Sequence, residues 1–263
     1  MFERILVAVD GTSASYAAAL FGAELAAPNG ELHLLCVTDR ASPPEAASIA
    51  RSLDEACQSV LASGLAAVAR RAHVASSTVA KGRALAAILL REEELGADLI
   101  CLGSGRTRLR PGHVSAAVAR EADACVALIR AGVADAPRIS RIAVGLRTGP
   151  TAQKAAEHAM RIAAGTGAQL YLFAVVRTAL REAKEEARRL LGDTARAAEA
   201  MGLPSPRTEI RHGEPAAELV LAVDALRADL LVVGAGQRRP MRPMGRVVTR
   251  LTSTCPCPLL ICR

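Results

Sequence analysis

The chain has 263 residues, 51% of them apolar, and a net charge of 33 − 26 = +7. This apolar content excludes an intrinsically disordered chain, and the longest apolar runs, such as Ile5–Val9, are too short to span a bilayer. The short apolar run before Asp10 does not fit a secretory signal, and seven scattered cysteines do not suggest a disulfide framework. We therefore expect a cytoplasmic protein, and its 2% aromatic content argues against a nucleic-acid partner.

The first half of the chain alternates short apolar runs with stretches of helical periodicity. The first run ends at the turn Asp10-Gly11, and the helical stretch after it stops at Pro28-Asn29-Gly30. In chain order the pattern predicts strand Ile5–Val9, helix Ser13–Ala27, strand Leu32–Val37, helix Pro43–Arg71, strand His73–Val79, helix Arg83–Leu95, strand Leu99–Gly103, helix Val114–Glu121 and strand Val126–Ile129.

The second half repeats this order, with a long charged helix predicted over Glu182–Met201. Such self-similarity indicates a tandem duplication of a domain of about 130 residues. We predict a first domain over residues 1–132 and a second over 138–263, joined near Ala131–Pro137. The matching segments are Arg4–Val9 with Arg141–Leu146, Ala97–Gly105 with Ala228–Gly236, and Val126–Arg130 with Leu259–Arg263.

Apolar strands that alternate with helices predict an α/β fold, in which a parallel sheet is buried on both faces. Right-handed crossovers make each half a doubly wound unit. Ligands of such sheets bind beyond the carboxyl ends of the strands, where the strand order reverses. The residues that follow the first and fourth strands, from Asp10 and from Gly103 onward, are therefore the candidates for a site.

Both of these edges carry residues suited to an anion. Thr12 and Ser13 stand where a helix begins, and glycines let the backbone approach a phosphate closely. The loops after the fourth strands are rich in arginine, which either binds an anion or forms a solvated face. The anion candidates are Arg106, Arg108, Arg110, Arg238, Arg239, Arg242, Gly245 and Arg246.

The common catalytic and metal motifs are missing. The sequence contains no Walker A, HExxH, GxSxG or complete GxGxxG pattern. Cys255-Pro256-Cys257 has one intervening residue and no partner pair, so we interpret it as two structural cysteines and expect no metal.

With these motifs in view, the chain resembles the tandem members of the universal stress protein family. The resemblance rests on Ile5–Thr12 with Ser15 and Ala18, on Ala97–Gly103, on Gly112-x-Val114-Ser115, and on the closing Cys257–Ile261. It implies a flavodoxin-like (adenine nucleotide alpha hydrolase-like) sheet in each half and, as in many members, a bound adenine nucleotide such as ATP or AMP. The residues that it assigns to the nucleotide are Asp10, Gly11, Thr12, Val37, Gly103, Gly105, Gly112, His113, Val114 and Ser115.

The chain also departs from the family motif Gly-x₂-Gly-x₉-Gly-Ser/Thr. In the first copy Arg106 replaces the second glycine, five residues precede Gly112, and His113 replaces the Ser/Thr. The second copy departs further, and the nucleotide is therefore expected in the first domain. Its departures are Arg147 for the aspartate, Gln237 for the second glycine, Arg246 for the Ser/Thr, and a seven-residue segment Arg238–Met244 before Gly245.

Two functions of different classes remain open. One is a regulatory binding module that holds an adenine nucleotide and is not a turnover enzyme, or at most a weak ATPase, because the loops offer no general base besides His113 and no Mg²⁺-binding carboxylates. The other is a nucleotide-independent scaffold whose Arg-rich loops bind an acidic partner. In either case we expect the two domains to pair through Val126–Ile129 and Leu259–Cys262, and a homodimer is a further option.

Overall fold

The computed structural model describes residues 1–38, 47–69, 71–104, 113–130, 138–177, 180–236 and 244–263, without the side chains of 47–53 and 113. These residues form two compact units, one before residue 131 and one from Arg138 to Arg263, called here the first and second domains. The predicted linker Ala131–Pro137 lies outside the described residues.

The first domain is a parallel sheet with helices between its strands, as the alternating pattern predicts. Its strands run in the order β3-β2-β1-β4-β5. The elements are β1 (Phe2–Ala8), α1 (Ser13–Leu25), β2 (Ala26–Thr38), α2 (Ala47–Val68), β3 (His73–Lys81), α3 (Ala84–Leu95), β4 (Leu99–Ser104), α4 (His113–Glu121) and β5 (Cys125–Arg130).

The second domain repeats the first element by element. Its strands pair in the order β8-β7-β6-β9-β10, again all parallel. The elements are β6 (Arg141–Leu146), α5 (Pro150–Thr166), β7 (Gln169–Val176), α6 (Arg181–Ala200), β8 (Arg207–His212), α7 (Pro215–Leu226), β9 (Leu230–Gly234), α8 (Arg246–Thr254) and β10 (Leu259–Cys262).

The strand order reverses at one point in each domain. In the first domain the chain winds outward from β1 in one direction through β2 and β3, and in the other through β4 and β5. The order therefore reverses between β1 and β4, and between β6 and β9 in the second domain. The predicted fold class, two tandem doubly wound parallel sheets of the flavodoxin-like kind, is confirmed.

The structure differs from the prediction at Pro28-Asn29-Gly30, which the pattern predicts as the end of the first helix. The structure assigns it to β2, which begins at Ala26, directly after α1. The pairing of β1 with β2 jumps there, from Phe2 opposite Ala26 to Arg4 opposite Glu31. The breaker is thus an irregularity inside a strand, because the backbone needs extra residues to turn from helix into sheet.

A repeated aspartate explains the most visible part of the sequence duplication. Asp98, just before β4, accepts hydrogen bonds from the backbone N–H groups of Glu3 (2.7 Å) and Arg4 (3.0 Å) at the start of β1. Asp229 does the same for Ser140 (2.9 Å) and Arg141 (2.8 Å) at the start of β6. Each aspartate therefore joins the first and fourth strands of its own domain.

Small and branched apolar side chains fill the core of each domain. The strands β4, β5, β9 and β10 are almost continuously buried, as expected for strands covered on both faces. All seven cysteines are buried thiols that are not in disulfide bonds. No helix in the described ranges is both long and apolar enough to cross a membrane.

Candidate functional site

The candidate site of the first domain begins at the turn between β1 and α1. Gly11 adopts a left-handed backbone conformation (φ 80°), and Thr12 caps α1 by accepting a hydrogen bond from the N–H of Ser15 (3.2 Å). Asp10 Oδ1 accepts hydrogen bonds from the N–H (3.0 Å) and the hydroxyl (2.6 Å) of Thr12. The predicted helix cap is confirmed, and the Asp10 carboxylate stabilises the turn that forms it.

These contacts also affect the charge of Asp10. Partial burial raises the pKa of this carboxyl group, but hydrogen bonds from Thr12 and Ser15 outweigh burial, and the pKa lies below its ordinary value of 3.8. Asp10 is therefore ionised at neutral pH. Because its pKa is lowered, the ionised carboxylate stabilises the fold at pH values above its ordinary pKa of 3.8. This stabilisation is lost as the pH falls through the lowered pKa.

A Thr12→Val variant tests this assignment. We expect an NMR titration of the parent protein to give an Asp10 pKa below 3.8, and the variant to move it upward, because the hydroxyl donor is lost. Thr12→Ser keeps the hydroxyl and should leave the pKa low. Equal pKa values in all three proteins would contradict the hydrogen-bond explanation.

Gly103 and Gly234, at the ends of β4 and β9, have a packing role that needs no ligand. A Cβ atom on Gly103 would lie 2.7 Å from the backbone nitrogen of Ser15, in the first turn of α1. A Cβ atom on Gly234 would lie 2.5 Å from the carbonyl oxygen of Thr151, in the first turn of α5. Each glycine lets a helix N-terminus approach the end of the fourth strand, and this places the helix beside the point where the strand order reverses.

The other predicted residues of the first domain are only partly brought together. Val37 is half-buried on β2, His113 is the first residue of α4, and Val114 is exposed. The Ser115 side chain is buried (4% exposed), so its hydroxyl does not face solvent. Several predicted residues lie outside the described residues: Gly105, Gly112, Arg106, Arg108, Arg110, Gln237, Arg238, Arg239 and Arg242.

The second domain has an open crevice at the carboxyl ends of its strands, with a volume of about 380 Å³. Its wall is largely apolar and comes from β6, β7, α7, β9 and α8. The glycines Gly234, Gly236 and Gly245 line the same space. The buried wall residues are Leu146, Phe173, Leu219, Val233, Ala235 and Val248.

Local contacts position the glycines Gly236 and Gly245 that line this crevice. Gly236 has a left-handed backbone (φ 89°), and its N–H donates to Thr151 Oγ1 (3.2 Å), so the segment after β9 is fastened to α5. Gly245 precedes α8 and has no side chain to cap it, which leaves the N-terminus of α8 facing the crevice residues. A helix N-terminus attracts anions.

Three exposed arginines surround this apolar space: Arg147 after β6, Arg177 after β7, and Arg246 at the first position of α8. Arg177 and Arg246 also line an adjoining cavity of about 600 Å³ together with Gly213, Glu214 and Arg250. The predicted anion candidate Arg246 is thus placed at a cavity.

The described residues contain no cluster of three or more His, Cys, Asp or Glu side chains that could hold a metal ion. Cys255 and Cys257 lie with their sulfur atoms 3.8 Å apart and are buried in the second domain. The hydrogen bond with Cys255, and then burial, raise the pKa of the Cys257 thiol well above its ordinary value. Cys257 therefore stays protonated, and both cysteines lie in the core as packing residues.

The sequence predicts a site at the strand ends of both halves, but it does not identify the apolar wall of the second-domain crevice. Arg147 stands where the family has an aspartate, and this substitution pointed to the first domain. The space between Phe173, Leu219 and Val233 depends on how side chains pack between different strands. The sequence signal for this crevice is the set of glycines near both ends of the loop after β9.

Taken together, the chain is a pair of doubly wound α/β domains, with a ligand-sized crevice at the strand ends of the second. The family model of the universal stress protein family matches residues 1–130 and 138–263, and the chain therefore belongs to this family. No curated protein sequence gives a significant match.

Solved structures show the same fold over nearly the whole chain. A universal stress protein from Archaeoglobus fulgidus DSM 4304 superposes with a TM-score of 0.81 at 16% identity, over 99% of this chain and 98% of that one. A putative universal stress protein from Pseudomonas aeruginosa UCBPP-PA14 gives 0.70 at 16%, over 99% and 93%. The cytoplasmic domain of a prokaryotic cation chloride cotransporter gives 0.62 at 14% identity, over 99% and 95%.

Proposed function

We propose that this chain is a cytoplasmic regulatory protein that binds an adenine nucleotide in the crevice of its second domain. The observation that carries the proposal is the open space of about 380 Å³ between β6, β7, β9 and α8. Small-molecule sites are concave and mostly apolar, with volumes of roughly 300–1,000 Å³. Family membership supports the choice of ligand, because many universal stress proteins are adenine-nucleotide binders.

The residues in the crevice suit the parts of a nucleotide. Phe173, Val175 and Leu219 offer an apolar surface for the base, while Arg246 and the N-terminus of α8 attract the phosphates. The described lining residues include no Asp, Glu, His, Ser or Cys, so they supply no general base or nucleophile. This composition favours binding over turnover, and a bound nucleotide would act by favouring the conformation that binds it best.

Two matched substitutions test both the function and the domain. Val175 lines the second-domain crevice, and Val37 occupies the equivalent position on β2 of the first domain. We expect Val175→Phe to fill the crevice and weaken ATP binding by more than about tenfold, or 1.4 kcal/mol. Val37→Phe should leave it unchanged. Isothermal titration calorimetry measures the affinity, and the melting temperature of each variant checks its fold.

The remaining outcomes separate the alternatives. If Val37→Phe abolishes ATP binding and Val175→Phe does not, the site is in the first domain, around Asp10, Gly103 and His113. If the parent protein gives no heat with ATP, the nucleotide proposal fails and the scaffold hypothesis gains support. That hypothesis then requires salt-dependent capture of an acidic partner that Arg238→Glu with Arg239→Glu abolishes and Asp10→Ala does not.

A further inference from the structure

The rim of the second-domain crevice is strongly basic. Arg147, Arg177 and Arg246 line the crevice itself, and Arg250 lies one helical turn beyond Arg246 in the adjoining cavity. Because Arg177 and Arg246 line both spaces, the apolar crevice adjoins a second cavity lined mainly by charged residues, called here the basic shelf. A molecule that fits both parts has an apolar head and an anionic tail.

Glu214 is the one carboxylate among the described residues that line the two cavities, and its oxygens already have partners. Its Oε2 accepts a hydrogen bond from the N–H of Ala217 (2.9 Å), which caps α7. The same oxygen lies 3.4 Å from Arg250, and Oε1 lies 3.9 Å from Arg177. Glu214 therefore lies between these two arginines and is partly neutralised by them.

Its protonation state agrees with this arrangement. The backbone hydrogen bond from Ala217 is the largest influence and lowers the pKa of Glu214, and the nearby Arg250 and Arg177 lower it further. The carboxylate is thus charged at neutral pH, so the shelf contains one negative and three positive side chains, Arg177, Arg246 and Arg250. Neither Arg147 nor Arg246 has a carboxylate within 4 Å among the described residues, and their charges are available to a ligand.

The basic rim is specific to the second domain at three of these positions. When the two copies are aligned through Arg4–Val9 and Arg141–Leu146, and through Gly112 and Gly245, the first domain has other residues there. Arg147, Arg246 and Arg250 correspond in that alignment to Asp10, His113 and Ala117.

Phosphate groups bound at such a rim are neutralised by guanidinium groups. A divalent cation on the phosphates would remove part of their negative charge and would stand close to several arginines, which repel it. We propose that the second-domain crevice binds its nucleotide as the metal-free polyphosphate, and that Mg²⁺ weakens this binding. The inference rests on the proposed function and specifies the form of its ligand.

Calorimetric titrations of the full-length chain test this inference. We expect ATP with EDTA to bind at least about tenfold more tightly than ATP with excess Mg²⁺, and more tightly than AMP, because affinity follows the phosphate charge. Arg246→Gln and Arg250→Gln should each weaken the binding of metal-free ATP by about tenfold. Each should also reduce the difference in affinity between ATP and AMP. Arg188→Gln is the matched control, since Arg188 is exposed on α6 and pairs with Glu185.

The outcomes distinguish this inference from the proposed function. If ATP binds and Val175→Phe abolishes binding, but Mg²⁺ strengthens the affinity or the two arginine variants bind like the parent, the metal-free proposal is overturned and the function stands. If neither ATP nor AMP binds with or without Mg²⁺, both fail. Tighter binding of ATP in EDTA that is lost in Arg246→Gln and kept in Arg188→Gln supports the proposal.

Discussion

Replacing Gly234 by alanine is expected to lower the free energy of unfolding by about 2–3 kcal/mol, the cost of overpacking a closed site. The new Cβ would lie 2.5 Å from the carbonyl oxygen of Thr151 and 2.8 Å from the nitrogen of Ala152. Both are backbone atoms of α5, so relief requires the helix to move away from β9. Urea unfolding followed by circular dichroism measures the change. Gly103→Ala should lower the free energy of unfolding in the same way, because its Cβ would lie 2.7 Å from the nitrogen of Ser15 in α1.

A glycine in the middle of α6 provides the matched control. A Cβ on Gly192 would meet only the end of the Arg196 side chain, at 3.9 Å. Gly192→Ala should therefore stabilise the protein, by about 1 kcal/mol, through helix propensity alone. An unchanged urea midpoint in Gly234→Ala would show that α5 does not need its close approach to the sheet.

The second large effect is expected at Glu92, which is buried on α3 with 7% of its surface exposed. Its Oε1 accepts hydrogen bonds from the backbone N–H groups of Asp123 and Ala124, between α4 and β5. Glu92→Ala removes this acceptor from both amides, and we expect a loss of about 2–4 kcal/mol in the free energy of unfolding. Hydrogen exchange at the Ala124 amide should become faster in the same variant.

Glu92→Gln separates the hydrogen bonds from the volume of the side chain. The amide oxygen of glutamine can still accept from both N–H groups, so this variant should keep most of the stability and of the amide protection. If both variants unfold at the same urea concentration, the acceptor at Oε1 is not what stabilises the turn before β5.

Much of the fold could be predicted because the pattern signals are local and occur twice. The strands near Ile5, Leu99 and Leu259 are apolar runs between turn residues, and the structure confirms each of them. The error at Pro28–Gly30 has a physical cause: proline and glycine break a regular pattern, but the pattern does not tell whether the chain leaves the sheet or bulges within it.

The site could be predicted only in part, because a crevice is a property of packing. The topology rule correctly directed attention to the residues after the first and fourth strands, where Thr12 caps α1 and Gly234 touches α5. It could not tell that Phe173 and Val248, which are far apart in the sequence, leave a space between them. It also could not tell that Glu214 would lie between Arg177 and Arg250.

The exposed side chain of Arg147 has an evolutionary consequence. It comes after the last residue of β6, and the packing of the sheet does not rely on it, whereas the neighbouring Gly145 and Gly234 are confined by closely approaching atoms. A codon change at position 147 therefore alters the charge at the crevice without disturbing these packed positions. Duplicated halves of one polypeptide can in this way acquire separate chemical preferences without first becoming separate genes.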